Sequence, residues 1–580
     1  VKIIADLSTI SQGENNFCTA QINIMFINGR NLKPYEMLEL LIKQPLNFYL
    51  YDYLSGVITQ DPKTHLPKII EQFEQNPSVA LFNFLIHLSP SFWKTTIKDL
   101  MSLTKQERKE KPFLKENIYW ELRKMIENPL WSIVDKIFKS YFNARRNFKN
   151  SDFPKLGSKI IEILDQIASQ YSKCTYASIE KIQKMISGQT HQVENYDMDT
   201  SIRTISIDKT ISRALTKTWN SGLFVSPDIY TEEVNFCLTH IILIDWQASL
   251  LYKIGQNHYQ IEVDISSIGK GLTRQAARAS AFMETIERFS ALTGATKNFP
   301  EGYVDKKIIT QGSYQQLKDS CMDLDPHNLL SFPKDTPLHW IHGEQITKKG
   351  KSTVLVPMQL VFTHGNFHEP LIYSGNSSNG LASGNTPEEA KLHALLEIIE
   401  RHSDYTTLYT PERCFILRAD TNKKIQKILK KIYKKGIQIY FIDLAVEFGI
   451  PAYKAFAWID GKMISGCGCH LNAQIAINRA LCEFTPSLYV CENFQNTSNP
   501  QITSKIVHYD KLPNYSTQKV NSDLNLVENV ITESGFSIIY AGLTRTDLQI
   551  PVFKAIVPGL EKSEGFDIRR LAQLKQNHII

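Results

Sequence analysis

The period of the hydrophobic pattern changes part-way along the chain. Through residues 1 to about 145, long aliphatic and aromatic side chains recur at helical spacing. The segments 77–88 (PSVALFNFLIHL) and 92–103 (FWKTTIKDLMSL) are predicted as buried helices, and 105–115 as a charged helix end or loop. Residues 143–159, polar and basic with Pro154 and Gly157, are predicted as a linker or long loop. An amphipathic helix is predicted over 158–187 and a loop over 188–200, which places a domain boundary near residue 200. Beyond it, β-rich runs at 258–265, 352–362, 437–444, 452–459 and 550–557 alternate with helix-period segments. The pattern predicts a mainly helical domain over residues 1–200, followed by a mixed α/β (α+β) domain over 201–580.

Composition narrows the class. A chain of 580 residues with 42% apolar and 21% charged side chains is globular and too long for one ordinary core, so two to four domains are expected. A net charge of +6 over this length does not announce a nucleic-acid protein, and none is expected as a partner. The most apolar stretch, 236–251, contains His240 and Asp245 and is predicted as a buried strand or helix; no membrane span is expected. The first residues lack the pattern of a secretory signal, so a cytoplasmic location is expected. Nine cysteines do not suggest a disulfide framework, and Cys467, Cys469, His470 and Cys482 read as ordinary buried residues and not as a zinc site.

The second domain contains a repeat that carries acids. Glu284, Glu287 and Arg288 recur as Glu397, Glu400 and Arg401, and Ala277 and Ala281 recur as Ala390 and Ala394, all at an offset of 113 positions. A fainter copy follows 86 positions later, where Ala480–Glu483 matches Ala394–Glu397 but Pro486 and Ser487 replace the Glu–Arg pair. On a helix, i, i+3 and i+4 share a face. A single such face is ordinarily a solvated one with internal ion pairs. Two matched faces bring four carboxylates together, and these repel unless a hard divalent cation such as Mg2+ neutralises them. The arginines suit phosphate or carboxylate partners, and Lys270 between Gly269 and Gly271 suits an anion near exposed backbone N–H groups.

These residues resemble the YcaO family over about 200–570. The resemblance rests on Gly269–Gly271, on Ser280–Arg288 (SAFMETIER), on Ser378–Asn385, and on Glu389-Ala390 with Glu397–Arg401. It continues through Leu543–Val552 and Pro558–Glu561. It implies a domain of β-sheets flanked by helices with internal repeats, holding ATP and Mg2+. Carried over by position, it assigns Ser280, Glu284, Arg288, Asn385, Glu389, Glu397 and Arg401 to the nucleotide, with Lys270 and, near the start of the domain, Arg203 and Thr210. It assigns Glu284, Glu287, Glu397 and Glu400 to the metal. It assigns no catalytic residue. Ala382 stands where family members often have serine, and Pro486 and Leu488 stand in the region of a Gln and Arg, for which Arg479 or Arg545 are candidate substitutes.

The implied chemistry is phosphorylation of a peptide backbone amide after a Cys, Ser or Thr side chain or sulfide attacks it, giving an azoline or thioamide. Its implied partners are a peptide or protein substrate and a partner protein for substrate docking or sulfur delivery; homodimers are common in the family. The chain ends in QLKQNHII, without the proline-rich tail of many azoline-forming members, which shifts weight toward thioamide-type or partner-dependent members. Residues 1–200 match no named family and suit a structural extension or a docking domain. The competing reading is a non-enzymatic ATP-binding accessory, such as those that support methylthiolation of a ribosomal protein. An unrelated carboxylate–amine ligase fits neither the repeat nor the order of β-runs.

Overall fold

A computed structural model describes residues 2–6, 23–24, 54 and 177–186 and, with short gaps, 203–292, 309–321, 337–363, 377–490 and 505–560. The helices expected at 77–88 and 92–103, the charged stretch 105–115, the linker at 143–159, the loop at 188–200 and the last residues lie outside the described residues. What is described is mixed α/β, with several sheets and the helices that cover them, as the pattern predicts.

Strands β1 (Lys2–Asp6), β2 (Asn23–Ile24), β3 (Tyr230–Phe236), β4 (Thr239–Ile254) and β5 (Asn257–Gly271) form one sheet in the order β2-β1-β5-β4-β3. The segment 236–251 is therefore a strand. It pairs antiparallel with β5 from His240 opposite Gly271 to Ile254 opposite Asn257. The chain start joins this sheet, β1 running parallel to β5 with Lys2 opposite Gln260. Helix α1 (Ile179–Ile186) precedes the sequence-based boundary near 200 yet packs in the core of the later residues. Its Ile179 N–H donates to the Phe448 carbonyl at 2.9 Å.

Helix α3 (Arg274–Ser290) covers the first sheet, and helix α2 (Ile207–Asn220) packs on α3. Strands β6 (Ile309–Ser313), β7 (Pro337–Thr347), β8 (Gly350–Pro357) and β9 (Leu381–Ser383) belong to a second sheet. The run predicted over 352–362 breaks there: Pro357 ends β8, and residues 358–361 make a single helical turn. Helix α4 (Pro387–Thr406) follows β9. Then β10 (Cys414–Arg418), α5 (Lys423–Lys434), β11 (Tyr440–Asp443), β12 (Ala452–Ile459), β13 (Lys462–Cys469), α6 (Ala473–Val490) and β14 (Lys505–His508) build a third module, its sheet ordered β13-β12-β11-β10-β14. Helix α7 (Val520–Glu533) leads to β15 (Ile538–Gly542) and β16 (Val552–Ile556), which complete the second sheet as β6-β7-β15-β16-β9, with β8 on β7. No helix among the described residues is long and apolar enough to cross a membrane.

One motif positions the chemistry, and it occurs three times among the described residues. Strand β5 runs into α3, β9 into α4 and β13 into α6, each through a glycine and a capping side chain. A helix start leaves N–H groups without carbonyl partners. Thr273 accepts from the Ala276 N–H at 3.1 Å, Thr386 from that of Glu389 at 3.2 Å and Asn472 from that of Gln474 at 2.9 Å. The glycines let the helix lie on its strand. A Cβ on Gly269 would stand 2.1 Å from the Ala277 carbonyl oxygen, and one on Gly468 2.1 Å from that of Ala476. One on Gly384 would stand 2.4 Å from the Ala390 nitrogen. Alanines on the helix side complete the close approach. Ala382, the departure noted in sequence, occupies the position of Gly269 and Gly468 in the second copy and is buried in the core under α4.

Candidate nucleotide and metal site

The motif throws the acidic faces of α3 and α4 toward each other across β9. On α3, the Arg288 guanidinium lies 3.5 Å from Glu284 and 3.8 Å from Glu287. On α4, Arg401 lies 3.8 Å from Glu397. Ser383 of β9 ties the two: its hydroxyl donates to the Met283 carbonyl at 2.8 Å, and its backbone hydrogen-bonds the Glu287 carboxylate.

Charge and burial conflict at this junction. Burial pushes Glu287 up to about 8, Arg288 opposes the shift, and the charges of Glu397 and Glu284 add to it. Burial also raises Glu397 and Glu400 above the ordinary carboxylate range, against Arg401 and other cations. Carboxylates that hold protons this strongly in a cluster suit a positive ion that replaces those protons. Among the described residues, no three His, Cys, Asp or Glu side chains are arranged as a complete metal cage. The chemistry of the donor set, carboxylates beside arginines, is that of Mg2+ held by one or two carboxylates together with phosphate oxygens.

The third helix contributes as well, which the sequence signalled only faintly. Arg479 of α6 takes the place of Ser280 and His393 in the other copies, and its charge acts on Glu397, Glu400 and Glu483. Glu483 takes the place of Glu284 and Glu397. Burial works against its charge, but Lys270, Arg401 and Arg479 hold it below the ordinary range. The Lys270 ammonium lies 2.5 Å from Glu483. Lys554 of β16 also acts on Glu397 while donating to the carbonyls of Ser377 and Asn379, both at 2.6 Å. Of the two substitutes considered for the missing arginine, Arg479 faces the acids. Arg545 is engaged elsewhere, 2.7 Å from Asp547 and with its guanidinium 4.2 Å from the Phe289 ring centre.

The remaining expected residues divide. Ser280 is half-buried on α3. Glu389 is 1% exposed and accepts from the Thr204 N–H and hydroxyl at 2.9 and 2.8 Å and from the Asn385 amide at 2.8 Å. Asn385 gives its own carbonyl to Arg213 at 2.8 Å. Asn385 and Glu389 thus dock the segment before α2 onto the start of α4, and this brings Arg203 within reach of His393, whose pKa burial pushes down to about 4. Thr210 is not drawn in: it is buried in α2 and donates to the Ser206 carbonyl at 3.1 Å. Cys467, Cys469 and Cys482 are free thiols, and burial raises the first two.

Residues 268–561 match the family model described as "YcaO cyclodehydratase, ATP-ad Mg2+-binding". An uncharacterized protein of Methanothermobacter thermautotrophicus is 31% identical over 328 residues, which is 50% of this chain and 81% of that one. The Escherichia coli ribosomal protein S12 methylthiotransferase accessory factor YcaO is 22% identical over 50% of this chain and 56% of its own length. Among solved structures, YcaO from Methanopyrus kandleri bound with AMPPCP and Mg2+ aligns with a TM-score of 0.46 at 19% identity, covering 64% of this chain and 98% of that one.

Proposed function

The chain belongs to the YcaO family, and on that premise we propose that it uses Mg-ATP to activate a backbone amide of a ribosomally made peptide or protein, giving an azoline or thioamide. The observation that carries this reading is the convergence of half-buried glutamates from α3 and α4, with the buried Glu400, beside Arg288 and Arg401. Glu284, Glu287, Glu397 and Glu400 are the residues that would hold Mg2+, which when bound neutralises phosphate charge. Arg288, Arg401 and Arg479 carry guanidiniums, suited to orient phosphate oxygens and to stabilise charge that develops there. The amide oxygen is a poor leaving group, and phosphorylation converts it into a good one. The substrate is a peptide or protein, and a partner protein that docks it or delivers sulfur is part of the same proposal, as are a cytoplasmic location and a homodimer.

Calorimetry of ATP binding with and without Mg2+ tests the site. The expected result is Mg-dependent binding that Glu287→Gln weakens about a hundredfold, the scale of losing a buried charged ligand. Binding that ignores both metal and variant sinks the reading.

A second reading has its own support. Pro486 and Leu488 stand where family members carry Gln and Arg, and the E. coli relative is named an accessory factor. In that case the chain binds ATP without modifying a peptide. Peptide-stimulated phosphate release separates the two.

A further inference from the structure

Helix α5 carries its charge on one side only. Ile425, Ile428, Leu429 and Ile432 are buried in the core that α5 and α6 share against the third sheet. Lys423, Lys424, Lys427, Lys430, Lys431 and Lys434 are all exposed, and the helix has no acidic residue. Their six charges equal the net charge of the whole chain, +6, so the average over 580 residues conceals a concentrated basic stripe. None of the six makes an ion pair among the described residues. Asp420, the acid nearest the helix in sequence, accepts from the Gln426 amide at 3.4 Å. Helix stability does not account for the stripe. Lys423 and Lys424 stand in the first turn, where the backbone N–H groups already present positive charge, and lysines one turn apart repel.

We propose that the exposed face of α5 docks an acidic segment of a protein or peptide partner, held in extended form. Lys423, Lys427, Lys430 and Lys434 make one row along the helix, with neighbours about 4.5–6 Å apart at the helical rise. Alternate side chains of an extended segment lie about 6.6 Å apart on one side. The flexible four-carbon stems of lysine span the difference. The composition of the face selects carboxylates over other anions. Helix α5 has no arginine, the residue whose fork grips a phosphate with two bonds. Its one aromatic residue, Tyr433, is half-buried and packs on the core, so the face offers no exposed ring on which a base would stack. The apolar side of the helix is spent on that core, which leaves none to enter a lipid surface. Helix α5 shares no residue with the acid site, and the inference stands apart from the Mg-ATP reading.

The test is fluorescence anisotropy of a labelled oligoglutamate titrated with the full chain at low and at raised salt. The variants are the triple Lys423→Glu, Lys427→Glu and Lys430→Glu, and the same three positions changed to Gln. A control triple, Lys181→Glu, Lys184→Glu and Lys519→Glu, makes the same charge change at exposed lysines elsewhere. The chain should bind the probe with an affinity that falls as salt rises. The α5 glutamate triple should weaken binding at least about tenfold, the glutamine triple by less, and the control triple by less than about threefold. The melting temperature of either α5 triple should be no lower than that of the full chain, because repulsion is relieved, so the loss is not one of folding. Unlabelled oligouridylate, or vesicles rich in phosphatidylserine, should displace the probe less well than unlabelled oligoglutamate at equal charge. No binding of the probe at low salt overturns the inference. An equal loss in the control triple also overturns it, by making net charge the cause. More effective displacement by oligouridylate or by the vesicles overturns it in favour of a nucleic acid or a lipid surface. Failure of the chain to bind Mg-ATP leaves it untouched.

Discussion

Glu287 keeps its proton through neutral pH because burial on α3 outweighs the help of Arg288. Its folded pKa, about 8, lies above the ordinary value of 4.5. Between those values the folded chain holds a proton that the unfolded chain has released, so stability falls as pH rises through that window. The metal-free protein should therefore melt at a lower temperature near pH 8 than near pH 5, and Glu287→Gln should flatten that part of the curve. Differential scanning calorimetry of both proteins checks it; parallel curves count against a buried, protonated Glu287. The acids were legible in sequence because a repeat within one helix fixes which residues share a face. The Lys270–Glu483 pair was not, since it joins segments whose approach is decided only by how α6 packs beside β4 and β5. The hydrogen bonds of Glu389 to Thr204 and of Asn385 to Arg213 were not legible either, since no periodicity announces contacts so far apart in the chain.

At the scale of elements, the strand-to-helix turns set the position of every acid. Gly269→Ala should cost at least about 1–3 kcal/mol, because the new methyl meets the backbone of α3, which has no rotamer to change. Gly542→Ala, whose Cβ would meet only Phe553 at 3.6 Å, should stay within about 0.5 kcal/mol, and urea unfolding of both proteins makes the comparison. Helix α5 holds the opposite opportunity. Lys423, Lys424, Lys427, Lys430 and Lys431 are all exposed, and like charges one turn apart repel. Lys427→Glu should stabilise by about 0.5–1 kcal/mol, an effect that added salt removes. Strand legibility followed packing: β12, buried on every residue, falls where the apolar run 452–459 predicted it. The run 352–362 changed state at Pro357, whose ring ends the strand whatever the hydrophobicity beyond it.

Across the molecule, the packed region extends back past the boundary that polarity suggested near residue 200. Ile179 has no exposed surface and packs against Gly449 and the core under α7. Ile179→Ala should cost about 2–5 kcal/mol in chemical denaturation, the price of a cavity in a core. A loss below about 0.5 kcal/mol, typical of a surface change, would mean that α1 merely rests on the surface.

The three copies of the motif have a consequence for how the chain reaches its native state. Helices α3, α4 and α6 begin at Arg274, Pro387 and Ala473, so the site draws on segments that must each find strands of different sheets before their acids meet. Contacts of such long sequence separation form late. A partly folded chain has no nucleotide site to offer, and the native one does. Mg-ATP, if it binds as proposed, acts on the fold as a whole: at a hundred times its dissociation constant it withdraws about 2.7 kcal/mol from every unfolded or half-assembled competitor. The cell's own nucleotide pool would then serve as a folding aid for the domain that uses it.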